Sequence, residues 1–158
     1  FRSGLCHGTR NGQEQRWFRR YLPDATVIGT EIASSAERFD YTVRWDFHDV
    51  LEDWVGACDF VYSNSLDHAC DPVRALETWV GQLAPEGVLL VEHSPAHAKL
   101  SSMSRLSDPF RCTPTALIAL MGEWGAGRYR VEEVLLAPYA RALGSVVIFV
   151  APIGTPVA

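Results

Sequence analysis

Six residues, Val27-Ile28-Gly29-Thr30-Glu31-Ile32, constrain this chain more than any others. They read as a buried apolar strand that ends abruptly in a carboxylate. A glycine-bearing turn, His7-Gly8-Thr9-Arg10-Asn11-Gly12, lies upstream, and Glu31 follows Gly12 by nineteen residues. A carboxylate about 20 residues beyond a glycine turn sits at the tip of the second strand of a nucleotide-binding βαβ unit, where it accepts from both hydroxyls of a ribose. Taken singly the pair is degenerate, because a surface or helix-capping Glu also ends core strands. The rest of the chain decides between the two readings.

The order of elements is regular. Gly4-Leu5-Cys6 reads as the tail of a first strand. A helix is expected from about Gly12 to Leu22, with Glu14, Trp17, Phe18 and Tyr21 on one face, and Pro23-Asp24 stops it. Ala25 to Thr30 is the second strand, and Ser34-Ser35 offers a cap for a short helix. Tyr41 to Trp45 is a third strand that runs into Asp46-Phe47. Cys58 to Tyr62 is the fourth. Asp71 then caps a helix with Pro72 in its first turn and Val73, Leu76, Val80 and Leu83 on one stripe. Pro85-Glu86-Gly87 turns the chain into Val88-Leu89-Leu90-Val91, a fifth strand without polar alternation. Continuous apolar strands between helices imply a parallel sheet covered on both faces.

The last third changes character. Residues from about Ser94 to Arg111 are polar, and a connection this long is expected to be functional. Thr113-Pro114 opens another capped helix, with Leu117, Leu120, Met121 and Trp124 on its apolar face and Gly125 and Gly127 at its end. Tyr129 to Leu136 and Ser145 to Ala151 are strands separated by eight residues, too few for a helical crossover, so they pair as an antiparallel hairpin.

Composition sets the outer bounds. A chain of 158 residues fits one domain, 1–158, and its 47% hydrophobic content is ordinary for a globular protein. The net charge of -5 argues against nucleic acid or an anionic membrane as the main partner. No apolar run approaches the roughly 20 residues of a membrane span, and nothing resembles a signal peptide. The chain starts at Phe1 with no initiator Met, so upstream residues are expected to be missing. Cys6, Cys58, Cys70 and Cys112 form no C-x-x-C pair. All four read as reduced, which fits a cytoplasmic protein. No metal is expected: His68, Cys70 and His93 match no established ligand spacing.

Alternating strands and helices that close on an antiparallel hairpin resemble the class I S-adenosylmethionine-dependent methyltransferases, across essentially the whole chain. Four segments carry the resemblance: Gly8-Thr9-Arg10-Asn11-Gly12 at the glycine loop, Val27 to Ile32 at the second strand, Asp46-Phe47 after the third, and Asp59 to His68 with Asp71-Pro72 and Leu83 to Gly87. The resemblance implies a doubly wound, mostly parallel seven-stranded α/β sheet of Rossmann-like type in a single domain. The family's N-terminal helices are expected to be missing, and residues 94–111 are a candidate lid. It implies S-adenosylmethionine as cofactor and S-adenosylhomocysteine as product. Gly8 and Gly12 would let the backbone approach the cofactor, Glu31 would hold the ribose, and Ile32 and Phe47 would sandwich the adenine. Asp46 would accept from the adenine amine, and Ser63 and Asn64 would face the methionine portion. Phe47 also reads as core, and Asp46 as a helix cap for 48–54.

The family pattern breaks twice. Cys6 stands where an acidic residue is usual, and Arg10 replaces the central glycine. Arg10 pairs with the cofactor carboxylate, points to solvent or obstructs the loop, and Glu14 is one helical turn away to neutralise it. His68 is the first candidate for a general base and His93 the second, both at carboxyl ends of strands. His68 also reads as a structural turn residue. His7 is expected to orient the glycine loop, and His48 and His97 read as surface residues. The acceptor is expected to be a small molecule methylated at oxygen or nitrogen, with homodimer formation open. A non-catalytic methyltransferase-like subunit and a nicotinamide-dependent dehydrogenase are the competing readings. The terminal hairpin and the lack of a tight G-x-G-x-x-G count against the dehydrogenase.

Overall fold

Strands that are apolar at nearly every position need cover on both faces, and the observed sheet lies between helical layers. The computed structural model describes residues 1–98, 108–136 and 144–153. Its strands are β1 (Ser3–His7), β2 (Thr26–Glu31), β3 (Thr42–Arg44), β4 (Cys58–Ser63), β5 (Leu83–His93), β6 (Tyr129–Leu136) and β7 (Val146–Pro152). They form one seven-stranded sheet in the order β3-β2-β1-β4-β5-β7-β6. The first five run parallel, and β7 pairs antiparallel with both β5 and β6. The expected terminal hairpin is present. Strand order reverses between β1 and β4, so a crevice opens at their carboxyl ends, where open α/β sheets hold ligands.

Among the described residues, three α-helices connect the strands: α1 (Gln13–Tyr21), α2 (Pro72–Gly81) and α3 (Pro114–Trp124). The Asp71 carboxylate accepts the Arg74 N–H at 3.0 Å, and the Thr113 hydroxyl accepts the Ala116 N–H at 3.2 Å. Each cap satisfies an orphan helix donor and stabilises by about 1 kcal/mol. Trp79 on α2 is fully buried at the centre of the larger core, with Leu5, Val61, Leu76, Leu89 and Ile148 around it. Its indole N–H donates to the Phe47 carbonyl at 3.1 Å, tying α2 to the segment after β3.

Several expectations need correction. The α1 face drawn through Trp17 and Tyr21 is solvent-exposed, and the buried α1 residue is Gln15. Gly29 on β2 explains it: the Gln15 side chain occupies the space a Cβ there would need, and it donates to Thr42 Oγ1 at 2.8 Å. Ser34–Arg38 is a 3-10 turn with no side-chain cap. The α2 stripe centres on Leu76 and Trp79, with Val73 and Val80 only partly buried. Pro85-Glu86-Gly87 lies within β5 as an irregularity, because Cys58 pairs with Leu83 and Phe60 with Val88. Of residues 94–111, those at 99–107, including Met103 and Leu106, lie outside the described residues, as does the His97 side chain.

Candidate functional site

The glycine loop leaves β1 at His7 and enters α1 at Gln13. Gly8, Arg10 and Gly12 all have positive φ, at 72°, 47° and 71°. Glycine adopts this region freely, whereas for Arg10 it costs roughly 1 kcal/mol. The bare faces of the glycines meet protein. A Cβ on Gly8 would lie 2.6 Å from that of Ser65, and one on Gly12 would lie 2.9 Å from Gln15 Nε2. Close packing within the chain therefore explains both glycines without any ligand.

Glu31 stands at the tip of β2, as its spacing predicts. One carboxylate oxygen accepts the Arg10 N–H and the other the Ala33 N–H, each at 2.9 Å. The loop is thereby clamped to the strand end, and each oxygen keeps capacity for a further donor. Ile32, next in sequence, is 63% exposed beside it.

Glu14 is the residue that sequence reasoning missed. Its half-buried carboxylate accepts from Asn64 Nδ2 at 3.4 Å, across the crevice from α1 to the mouth of β4. Burial, partly offset by its hydrogen bonds, raises its pKa. Cys6 is buried, and burial first and the Glu14 charge second push its thiol pKa up. A carboxylate from α1 thus stands near the position where β1 lacks its expected acid, rather than serving Arg10. Its Oε2 is buried without a hydrogen-bond partner, and so is Thr9 Oγ1 in the loop. Gly12 begins α1 with no side chain of its own to cap it, and Asn11 Oδ1 accepts the Gln13 N–H at 3.3 Å. The unsatisfied Glu14 Oε2 and Thr9 Oγ1 suit a zwitterionic ligand.

Beyond β3, Asp46 Oδ1 accepts from the His48 backbone N–H at 2.9 Å and from His48 Nδ1 at 2.7 Å. Burial raises the Asp46 pKa, but the His48 bonds, with His48 and Arg74 charge, outweigh that and hold it below the usual range. His48 is buried, contrary to the surface reading. Phe47 is half-buried against Trp79 and packs near His7, so it belongs to the core edge. His7 is itself fully buried. Its Nδ1 meets Thr30 Oγ1 and its Nε2 meets Gln82 Oε1, both at 2.8 Å, and its ring stacks on Trp79. It fixes the β1–β2 layer rather than the loop.

At the mouth of β4, Ser63 is buried. Its hydroxyl donates to the His7 carbonyl at 3.1 Å and accepts the Ser65 N–H at 3.1 Å. Asn64 is half-buried and faces Glu14. His68 is exposed, with Nδ1 3.4 Å from Asp108 Oδ1, and the Phe110 N–H donates to the Asp67 carbonyl at 3.1 Å. The segment entering α3 is therefore docked on the turn after β4. Asp67, His68 and Asp108 bring one polar atom each within 4.8 Å of one another. We read them as an imidazole–carboxylate pair backed by a second carboxylate. His93 is buried, and its Nε2 donates to the Cys112 carbonyl at 2.9 Å. Among the described residues no helix is long and apolar enough to cross a membrane.

No family model and no curated protein matches the sequence. Solved structures do. Mitomycin 7-O-methyltransferase superimposes with a TM-score of 0.72 at 15% identity, over 96% of this chain and 49% of the other. This chain thus spans about half the length of that relative. The Haloferax volcanii complex of the Trm112 methyltransferase activator with a methyltransferase gives 0.77 at 16% identity, over 97% and 83%. Burkholderia thailandensis 1,6-didemethyltoxoflavin-N1-methyltransferase, with its substrate and S-adenosylhomocysteine bound, gives 0.69 at 13% identity, over 97% and 71%. At these identities the likeness shows the fold.

Proposed function

We propose that this chain, which has the fold of the class I S-adenosylmethionine-dependent methyltransferases, binds S-adenosylmethionine in the crevice between β1 and β4 and methylates a small molecule at oxygen or nitrogen. The observation that carries this reading is Glu31 at the tip of β2, clamped to the glycine loop and one strand from the switch point. The cofactor supplies a methyl group on a cationic sulfonium, already activated for in-line displacement.

Each residue then has a task. Glu31 takes the ribose hydroxyls, exposed Ile32 covers one adenine face and the Phe47 edge the other, and Asp46 accepts from the adenine amine. The start of α1, with Gly8, Gly12 and Arg10 around it, receives the carboxylate, and Glu14 receives the ammonium group with Asn64 beside it. Ser63 keeps the β4 turn in register. Positioning supplies much of the rate for such a displacement. His68 takes the proton of an acceptor hydroxyl or amine, and Asp108 stabilises the imidazolium that forms. Residues 94–98 and 108–111 flank the acceptor side as parts of a lid.

Support for a small acceptor comes from the net charge of -5 and from fold neighbours that methylate a mitomycin oxygen and a toxoflavin-precursor nitrogen. The competing reading, a non-catalytic methyltransferase-like subunit, draws on Cys6 and the left-handed Arg10. Mass spectrometry of the protein as purified, searching for bound cofactor and acceptor, separates them. With the acceptor in hand, His68→Ala should lower turnover by about 10²–10⁴-fold and leave cofactor affinity nearly intact. Unchanged turnover in that variant removes His68 from the chemistry.

A further inference from the structure

Two imidazoles face a cysteine at the same distance, and their other bonds set them apart. His48 Nε2 lies 3.8 Å from Cys70 Sγ, and His93 Nε2 lies 3.8 Å from Cys112 Sγ. His93 Nε2 also meets the Cys112 carbonyl, which only accepts, so that nitrogen carries the proton and has no lone pair for the thiol. At His48 the roles are reversed. Nδ1 donates to ionised Asp46, and Nε2 accepts the Asp71 backbone N–H at 3.4 Å. Nε2 is therefore the unprotonated nitrogen, and its one lone pair, shared with the long Asp71 contact, also faces Cys70 Sγ at 3.8 Å. His48 is buried, its carbonyl accepts from Thr78 Oγ1 on α2 at 3.0 Å, and Cys70 is exposed. The base is fixed and the thiol is open to solvent. A nucleophile, a base within reach and a carboxylate that orients the base make up an activated nucleophile.

We propose that Asp46, His48 and Cys70 form a carboxylate–imidazole–thiol relay that makes Cys70 a site of covalent modification by soft electrophiles. The Sγ proton passes to His48 Nε2, and the sulfur electron pair forms a bond to the electrophilic carbon. With an alkyl iodide the C–I bond breaks, iodide leaves with its electron pair, and the imidazolium held by Asp46 later releases its proton to water. The other charged groups around the relay are Asp71 and the Asp49–Arg74 pair, 2.6 Å apart. The remaining cysteines are poorly suited. Cys6 and Cys58 are buried, burial pushes the Cys112 thiol up to about 11, and burial with the Asp59 charge pushes Cys58 to about 11. A group attached to Cys70 would press on the Asp46–Phe47 edge of the crevice and weaken cofactor binding, a consequence that rests on the function proposed above.

Peptide-resolved mass spectrometry after brief exposure to limiting iodoacetamide at neutral pH tests the relay. The rate at each cysteine in folded protein is divided by its rate in urea-denatured protein, which cancels local sequence effects. Cys70 should label at least about threefold faster when folded, because His48 Nε2 stands ready to take the thiol proton as the sulfur attacks. Cys112 should label more slowly when folded. Exposure by itself gives no acceleration, so a Cys70 that is no faster folded than denatured overturns the proposal. His48→Gln should abolish the acceleration in a protein shown by circular dichroism to be folded. Asp46→Asn should reduce it and replaces His48→Gln if that variant does not fold. Acceleration that survives substitution also overturns the relay. S-adenosylhomocysteine titrated into labelled and unlabelled protein reads the coupling: weaker binding after labelling supports it and equal binding refutes it. Unlabelled protein that does not bind refutes the proposed function and leaves the labelling ratio to decide the relay.

Discussion

Glu14 and Glu31 are the two carboxylates that flank the glycine loop. Glu31 is satisfied by backbone N–H groups, whereas Glu14 keeps one buried oxygen without a partner. An unpaired buried carboxylate oxygen is costly until a cation or donor meets it. Glu14→Gln should therefore weaken S-adenosylhomocysteine by about 1.5–3 kcal/mol and leave 5′-methylthioadenosine, which lacks the amino acid tail, nearly unaffected. Equal losses for both ligands in calorimetry would take Glu14 away from the ammonium group. Arg10→Ala should discriminate in the same direction through the carboxylate. Glu31 was legible in the sequence because strand and loop fix its spacing. Glu14 was not, because its partner Asn64 lies fifty positions away, and a helix-face reading assigned it to Arg10. His48 escaped for a similar reason: its partners Cys70 and Asp71 come from the segment that leads into α2.

The elements reflect how local their determinants are. Both caps, Asp71 and Thr113, act within their own first turns and were readable, as was the parallel core of apolar strands. The exposed face of α1 was misread because aromatic side chains count as core in any periodicity argument. In the fold, Trp17 and Tyr21 stack on each other at 6.2 Å in solvent, and Gln15 fills the notch over Gly29. The β5 irregularity depends on its register against β4, which only the partner strand sets. The glycine loop and the turn after β4 are coupled by Gly8 and Ser65, whose hydroxyl donates to the Gly8 carbonyl at 3.1 Å. Gly8→Ala combines a positive φ with a clash and should destabilise by about 1–3 kcal/mol in urea unfolding. Part of that loss should return in the Ser65→Gly background. Full additivity of the two changes would show that the contact does not carry the strain.

At the scale of the whole molecule, stability should depend on pH through His7. Burial pulls its pKa down to about 4, only partly offset by Gln82. The unfolded chain titrates near the ordinary value of about 6.5, so it binds the proton first as pH falls. Stability from this group is complete above about 6.5 and declines toward pH 4, by up to about 3 kcal/mol. Urea unfolding of wild type and His7→Asn across that window should show a steep acid slope only in the wild type, and parallel slopes would contradict it. The antiparallel pairing of the last two strands was legible from element order, since the nine residues between β6 and β7 are too few for a crossover. The cofactor site is the claim on which the function turns, and calorimetric titration of S-adenosylhomocysteine into wild type and Glu31→Ala tests it most directly. Wild type should bind, and the variant should bind more weakly by about 1.5–3 kcal/mol, roughly tenfold to a hundredfold. Equal affinities, or a folded wild type that does not bind, would contradict the ribose contact at the tip of β2.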